Sequence, residues 1–236
     1  MRERLKWLWC VLLADCSGAE RPVDTVRANV PVVAAANSAP LPKRRVTIVF
    51  VGTSLTAGYG LEPDEAFPIL IGRMLDSLGV PNEVRNAGVN GETSAGALRR
   101  IDWPLSAQDT DILVLETGAN DGLRGLDLDS TRANIDSVLT RIRTLRPGAR
   151  VVLAQMEAPP NMGVKYTSRF RAMFPDLARK HGAGLAPFLL DSVAGSLDLN
   201  QGDGIHPNAE GEKIVARNMW RALAADIAAV RKEKGL

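Results

Sequence analysis

A short apolar run followed by a glycine-rich turn with a serine limits the possible folds of this chain more than any other segment. Residues 46–51 read Val-Thr-Ile-Val-Phe-Val, and residues 52–60 read Gly-Thr-Ser-Leu-Thr-Ala-Gly-Tyr-Gly. A continuous run of β-branched and aromatic residues predicts a strand buried on both faces, as in a parallel sheet covered by helices. Ser54 is then expected at the carboxyl edge of the sheet, where open α/β folds place their sites.

Strand-like and helix-like segments alternate along the rest of the chain. Strands are predicted at 83–86, 111–116, 150–155 and 184–187, and helices at 68–78, 94–101, 130–145, 166–181 and 207–232. This alternation indicates parallel βαβ units with helices on both faces of the sheet. Polar, glycine-bearing loops follow the strands, so we expect Ser54, Gly88 and Asn120 to converge on one edge.

The first 45 residues differ in composition from the rest. Residues 1–16 combine a basic head with a short uncharged run, which is typical of a secretory signal and too short to span a bilayer. Leu13-Ala14-Asp15-Cys16 resembles a bacterial lipobox, with aspartate where a small residue is usual. We expect export, to the periplasm or as a lipoprotein anchored to a membrane through Cys16, with cytoplasmic retention as the alternative. Residues 17–45, rich in alanine and proline, are interpreted as a flexible tether.

We interpret the remaining segment, 46–232, as one globular domain. The composition of the chain excludes several classes of function for this domain. The 29 Lys and Arg residues nearly balance the 27 Asp and Glu residues, and no basic block lies in the domain, so no nucleic-acid partner is expected. Cys10 and Cys16 are the two cysteines, and both precede the domain, which would therefore hold no disulfide. No histidine and cysteine cluster has metal-ligand spacing, so we expect neither metal nor cofactor. The sequence does not indicate an oligomeric state.

Ser54 has several interpretations when its turn is taken alone. Serine is a favoured helix N-cap, so Ser54 could simply cap the helix that follows. The turn has neither the Lys-Ser/Thr pair of a phosphate-binding loop nor a dinucleotide fingerprint, which disfavours a nucleotide site. If Ser54 is a nucleophile, it needs a base, and histidine is the commonest side chain for that task.

The two histidines of the chain lie in different contexts. His181 precedes a glycine at the predicted end of a helix, where a cationic ring complements the helix dipole, and we interpret it as structural. His206 lies three residues after Asp203 on a glycine-rich turn, and Pro207 is predicted to begin the last helix. This spacing lets the Asp203 carboxylate reach Nδ1 of His206 and leaves Nε2 free to take a proton. The alternative is that both residues only cap the helix.

Four ordered blocks resemble the GDSL or SGNH hydrolase family, and within it the acyl-CoA thioesterase/lysophospholipase and arylesterase branch. The blocks are Gly52-Thr53-Ser54-Leu55, Gly88, Gly118-Ala119-Asn120-Asp121 and Asp203-Gly204-Ile205-His206. The resemblance covers about residues 46–225. It implies a three-layer αβα sandwich with a small central parallel sheet, the flavodoxin-like SGNH hydrolase fold, for the domain 46–232.

The same resemblance implies an activity and the roles of individual residues. Ser54, Asp203 and His206 form the implied catalytic triad. The Ser54 amide, the Gly88 amide and the Asn120 side chain form the implied oxyanion hole, the set of preorganised donors that a tetrahedral intermediate needs. The implied reaction is acyl transfer through an acyl-enzyme, without metal or cofactor.

Thr53 departs from the family's first block, which has aspartate at this position. That aspartate is not a member of the triad. We expect the Thr53 hydroxyl to bond locally within the turn, with consequences for the rigidity of the turn and the rate rather than for the type of reaction.

The segment 157–166 resembles the loop that borders the acyl site in the thioesterase branch. Met162, Val164 and Tyr166, together with Phe170, are predicted to line an apolar groove, with ordinary packing as the alternative. We expect small acyl esters or thioesters of short to medium chain length as substrates. Two other functions stay open: a carbohydrate deacetylase of the same fold, and an exported acyl- or lipid-binding protein without catalysis.

Overall fold

A computed structural model describes residues 44–106 and 109–236. The predicted signal segment, 1–16, and residues 17–43 of the predicted tether lie outside the described residues. From Val46 to Lys234 the chain alternates strands and helices. No helix in the described part of the chain is both long and apolar enough to cross a membrane.

Five parallel strands form the sheet that these residues contain. They are β1 (Val46–Gly52), β2 (Asn82–Gly88), β3 (Ile112–Leu115), β4 (Arg150–Ala154) and β5 (Gly184–Ala186), in the order β2-β1-β3-β4-β5. The strand β1 lies between β2 and β3 and is buried along its whole length. In register, Gly52 lies beside Gly88 and Val51 beside Leu115, so the loops that follow these strands start at one level of the same edge.

Helices cover both faces of this sheet. They are α1 (Ser54–Ala57), α2 (Phe67–Ser77), α3 (Ser94–Arg100), α4 (Ala119–Leu123), α5 (Leu128–Leu145), α6 (Val164–His181) and α7 (Ala209–Lys234), with 3₁₀ turns at Pro63–Glu65 and Pro160–Met162. One layer contains α2 packed on α7, and the other contains α5 packed on both α3 and α6. The predicted three-layer αβα architecture is confirmed, and its strand order is that of flavodoxin-like folds.

The core lies between the sheet and these two helical layers. An apolar stripe of α5 at helical spacing, formed by Ile135, Val138, Leu139 and Ile142, is buried there. Phe50 of β1 packs edge-to-face on Phe67 of α2, with ring centroids 5.6 Å apart, and Phe170 packs on Phe174 within α6 at 5.3 Å. Such aromatic pairs contribute about 0.5–1.5 kcal/mol beyond their buried area. The first pair joins α2 to the sheet that carries the functional loops, and the second lies within α6.

The last helix begins later than its proline suggested. Pro207 was predicted as its first residue, but Pro207 instead pairs with Asn200 in an antiparallel bridge. The N-cap is Asn208, whose side chain accepts the backbone N–H groups of Glu210 and Gly211. His206 therefore lies in the turn that precedes the helix, one residue before the bridge at Pro207, and it does not act as a helix cap.

Candidate active site

Ser54 is the first residue of the one-turn helix α1, which ends at Gly58 in the left-handed conformation (φ 72°). The N-cap position is occupied by Thr53, and no side chain caps this helix. Ser54 therefore does not have the capping role that serine often has at such a turn. Its side chain, 7% exposed, is free to bond to a residue from elsewhere in the fold.

A continuous chain of hydrogen bonds links Ser54, His206 and Asp203. The Ser54 Oγ lies 2.9 Å from His206 Nε2, and His206 Nδ1 lies 2.6 Å from Asp203 Oδ2. The other carboxylate oxygen accepts the backbone N–H groups of Ile205 (2.9 Å) and His206 (3.0 Å). These contacts, led by the bond to the His206 ring, lower the pKa of Asp203 to about 2. A permanently charged Asp203 favours the tautomer with the proton on Nδ1, which leaves Nε2 to accept the serine proton.

Thr53 bonds to a distant carboxylate, and the expectation of a local bond within the turn was wrong. Its backbone N–H and hydroxyl both donate to Glu116 Oε2, at 2.7 and 2.9 Å, and the Thr56 hydroxyl donates to the same oxygen at 2.9 Å. Glu116 follows β3 and is fully buried. Because Glu116 holds residues on both sides of Ser54, it fixes the backbone of the turn that carries Ser54.

A second buried acid lies near this cluster. Glu212 of α7 is 1% exposed and accepts the backbone N–H of Phe67 at 2.7 Å. Burial is the main cause that raises the pKa of Glu212 to about 8, and the charge of Glu116 contributes in the same direction. Burial likewise raises the pKa of Glu116. Sequence patterns gave no sign of this pair of acids, since the two residues are far apart in the chain.

Asn120 lies on α4, beside the loop that follows β2. Its Nδ2 donates to the Glu92 carbonyl at 3.0 Å, and Asn120 borders the same cavity as Ser54. The neighbouring Asp121 is buried and accepts the backbone N–H and the hydroxyl of Ser94, at 2.8 and 2.6 Å. The Asn-Asp block therefore both presents an amide to the cavity and ties α4 to the start of α3.

Gly88 does not meet the requirements of an oxyanion-hole donor that we predicted for it. Its N–H already donates to the Asn86 side chain at 2.9 Å, and Gly88 is not among the residues that border the cavity beside Ser54. A Cβ at this position would lie 2.3 Å from the backbone nitrogen of Ala57. Glycine is thus required here for close packing of β2 against α1, not for approach to a ligand.

A cavity of about 580 Å³ opens beside Ser54, His206 and Asn120. Its wall is mostly apolar and includes Leu123, Met156, Ala158, Phe188, Leu190 and Ile205, with Glu157 and Arg171 as a charged pair on one side. Because apolar side chains form most of the cavity wall, an aliphatic group can bind next to the serine hydroxyl.

The residues that we predicted to line the groove lie elsewhere. Met162 and Tyr166 border a separate depression beside residues 125–128, and the Tyr166 hydroxyl donates to the Leu126 carbonyl at 2.9 Å. Val164 is 84% exposed, and Phe170 is fully buried in the core. The predicted loop does border the cavity, but through residues 157–160. The helix α6 contributes Thr167 and Arg171 to the wall, and the turns after β5 contribute Phe188 and Leu190.

His181 has the structural surroundings that its position suggested. It is the last residue of α6, followed by Gly182 in the left-handed conformation, and its Nε2 lies 2.6 Å from the Asp136 carboxylate on α5. Lys180 donates to the same carboxylate. This contact ties the end of α6 to the middle of α5 and does not involve the cavity.

Comparison with known proteins shows to which family this chain belongs. Residues 50–214 match the GDSL-like lipase/acylhydrolase family. The chain is 33% identical to esterase TesA of Pseudomonas aeruginosa over 177 residues, which are 75% of this chain and 87% of that protein. It is 32% identical to thioesterase 1/protease 1/lysophospholipase L1 of Escherichia coli K12, with 75% and 83% covered. A crystal structure of TesA superposes with a TM-score of 0.72 at 33% identity, covering 76% of this chain and 99% of that one. The chain therefore belongs to the GDSL-like lipase/acylhydrolase family, as its four sequence blocks indicated.

Proposed function

We propose that this SGNH-type carboxylic ester hydrolase cleaves short- to medium-chain acyl esters or thioesters through an acyl-enzyme on Ser54. The observation that carries the proposal is the unbroken hydrogen-bonded chain from Asp203 through His206 to Ser54, at the mouth of an apolar cavity. A serine, a base and an orienting carboxylate in this arrangement are the parts that nucleophilic acyl transfer needs.

The proposed reaction has two steps that use the same groups. His206 Nε2 takes the Ser54 proton as Oγ attacks the acyl carbonyl, and the charged Asp203 stabilises the imidazolium. His206 then protonates the leaving alcohol or thiol as its bond to the acyl carbon breaks, which leaves the acyl-enzyme. Water, deprotonated by His206, attacks the acyl carbon, and the Ser54 oxygen departs with the proton returned by His206.

We assign the oxyanion hole to donors that border the cavity or lie next to it. The Ser54 N–H lies at the start of α1, and the Asn120 amide has a second hydrogen beyond the one that it donates to Glu92. In place of Gly88 we propose the Gly91 N–H. Gly91 lies in the loop that Asn120 contacts, has φ of +71°, and its N–H has no hydrogen-bond partner among the described residues. Loss of one such donor typically reduces the rate about 10²–10³-fold.

The cavity wall supports an acyl substrate over a carbohydrate. Side chains such as Met156, Phe188 and Leu190 offer no hydrogen bonds to sugar hydroxyls, and a buried polar group without a partner is unfavourable. Transfer of an aliphatic chain from water into an apolar cavity contributes about 0.8 kcal/mol of binding free energy per buried methylene. A cavity of this kind therefore favours acyl chains of several carbons over acetylated polysaccharide.

We also propose that the protein is exported. The basic head and short apolar run of residues 1–16 support a secretory signal, and the tether 17–45 would separate the domain from its processing site. Anchoring through Cys16 is the finer proposal. The intact mass of protein recovered from a bacterial host tests both: cleavage before Cys16 with an added lipid supports the anchor, and an uncleaved chain contradicts export.

Hydrolysis of p-nitrophenyl esters from acetate to palmitate, and of the matching acyl-CoA thioesters, tests the function. We expect turnover with a preference for short to medium chains, and a fall of several orders of magnitude in Ser54→Ala and His206→Ala. Release of acetate from acetylated polysaccharide without any acyl-chain preference would favour the deacetylase instead. Binding of acyl chains with no turnover by the parent protein would contradict an enzyme.

A further inference from the structure

The Gln201 side chain joins the two loops that carry Ser54 and His206. Its Nε2 donates to the Tyr59 carbonyl at 2.6 Å and to the Pro207 carbonyl at 2.9 Å. Both partners are carbonyl oxygens, so the atom between them must be the amide nitrogen, which alone can donate. Gln201 is half-buried and does not border the catalytic cavity.

On one side, this contact leads directly to the nucleophile. Tyr59 follows the glycine that ends α1, and the Tyr59 N–H donates to the Ser54 carbonyl at 3.0 Å. The Tyr59 peptide groups are therefore bonded to Ser54 through nitrogen and to Gln201 through oxygen. The next residue, Gly60 (φ +78°), packs closely on Gln201, since a Cβ there would lie 2.3 Å from Gln201 Oε1.

On the other side, Gln201 is bonded to the segment that carries the base. The Gln201 N–H donates to the His206 carbonyl at 2.7 Å, and its side chain reaches the carbonyl of the following proline. The Tyr59 ring also lies against the His206 ring, with centroids 4.7 Å apart. One amide thus spans two loops whose active groups, separated by 152 positions, must stay 2.9 Å apart.

We propose that Gln201 is a positioning residue that holds His206 at hydrogen-bonding distance from Ser54. The inference rests on the proposed function of Ser54 and His206 and adds a role for a side chain that contacts neither the cavity nor the reacting atoms. Without the amide donor, two carbonyls lose their partner and the loops can separate. Misplacement of a catalytic group by about 1 Å reduces rates by as much as about 10²-fold.

Two substitutions that keep the length of the side chain distinguish the effect of its hydrogen-bond donor from the effect of its size. Gln201→Met keeps the length without a donor, and Gln201→Glu keeps the shape but presents a carboxylate to two carbonyls. The readouts are kcat and KM on p-nitrophenyl butyrate and the rate at which a p-nitrophenyl phosphonate modifies Ser54. In both variants we expect kcat and the phosphonylation rate to fall together by about 10–100-fold, with KM within about twofold of the parent.

Asn82→Leu is the matched control. The Asn82 amide also donates to two backbone carbonyls, of Gly72 and Val80, and in addition to the Asp76 carboxylate, but at the opposite edge of the sheet. We expect this variant to lose thermal stability while kcat and phosphonylation stay at the parent values. If Gln201→Glu retains parent kcat, or if both Gln201 variants change KM alone, the positioning role is overturned. If the parent itself neither turns over nor reacts with the phosphonate, the proposed function fails instead.

Discussion

Thr53 and Glu116, 63 residues apart in the chain, are in contact beside Ser54, where the backbone N–H and hydroxyl of Thr53 both donate to the Glu116 carboxylate. The Thr56 hydroxyl completes the set. Since Glu116 is fully buried, three donors around Ser54 depend on one acceptor. This contact explains how the turn is held although threonine replaces the aspartate typical of the family.

Substitution of Glu116 should show that the turn needs an acceptor more than a charge. In Glu116→Leu three buried donors lose their partner, at about 1–3 kcal/mol each, and we expect a large loss of stability and a fall in kcat of at least about 100-fold. Glu116→Gln keeps an oxygen for Thr53 and Thr56, and its NH₂ group can donate to a rotated hydroxyl. We expect it to stay within about fivefold of parent kcat. Urea denaturation and ester hydrolysis measure both effects, and equal losses in the two variants would contradict this role.

Glu212 should make the protein less stable as the pH rises. Its pKa is raised from 4.5 to about 8 in the folded state, so the folded protein holds this proton more tightly than the unfolded chain. The resulting stabilisation is complete below the unfolded pKa and is lost as pH rises through the folded value. Glu212→Gln removes this dependence. From about pH 5 to pH 9 the free energy of unfolding of the parent should therefore fall by about 2–5 kcal/mol more than that of the variant. If the free energy of unfolding of the parent and of the variant changed with pH in parallel, Glu212 would have the same pKa in the folded and unfolded protein, and this prediction would be wrong.

Asp203 should affect the rate but not the acid limb of the pH profile. Its pKa of about 2 keeps the carboxylate charged at every pH at which the fold is stable. Asp203 should therefore add no protonation step of its own, and kcat/KM should fall at low pH with a slope no steeper than about one. In Asp203→Asn the amide favours the wrong imidazole tautomer, and kcat should fall by about 10⁴-fold. A slope of two, or an Asn variant close to the parent, would be inconsistent with the assigned role.

Ala194 offers a test of where the acyl chain binds. It is exposed and borders the catalytic cavity, so Ala194→Phe fills space without disturbing the core. We expect kcat/KM for p-nitrophenyl octanoate to fall about tenfold or more relative to that for acetate. Ala172→Phe, at an exposed position beside a different depression on α6, is the control and should leave this ratio unchanged. An unchanged ratio in Ala194→Phe would place the chain elsewhere.

The amino-acid sequence predicted correctly those features that depend on a local residue pattern or on the geometry of a parallel sheet. The apolar run of β1 and the 3.6-residue stripe of α5 are direct consequences of burial, and both elements lie where they were predicted. The position of Ser54 and Asn120 on one cavity follows from the rule that loops after parallel strands share one edge. The spacing of Asp203 and His206 on one turn made their contact predictable as well.

Contacts that depend on tertiary packing were not accessible in this way. Nothing near Thr53 indicates that its partner is Glu116, and the short helices α1 and α4 are too brief to show a period. The apolar side chains at 162–166 were expected in the cavity wall because they resemble the lining of a groove, but they face a separate depression. The wall instead includes Phe188 and Leu190, which come from an irregular turn without a repeating pattern. Gly88 was misassigned because close packing on Ala57 and close approach to a ligand both require glycine.

Reaction of the parent protein with a p-nitrophenyl phosphonate, followed by intact mass and peptide mapping, tests the central claim most directly. A nucleophilic Ser54 activated by His206 should yield one phosphonyl adduct per chain, located on Ser54, and Ser54→Ala should yield none. His206→Ala should react several orders of magnitude more slowly. A parent protein that stays unmodified, or an adduct on another residue, would contradict the assignment of Ser54 as the nucleophile.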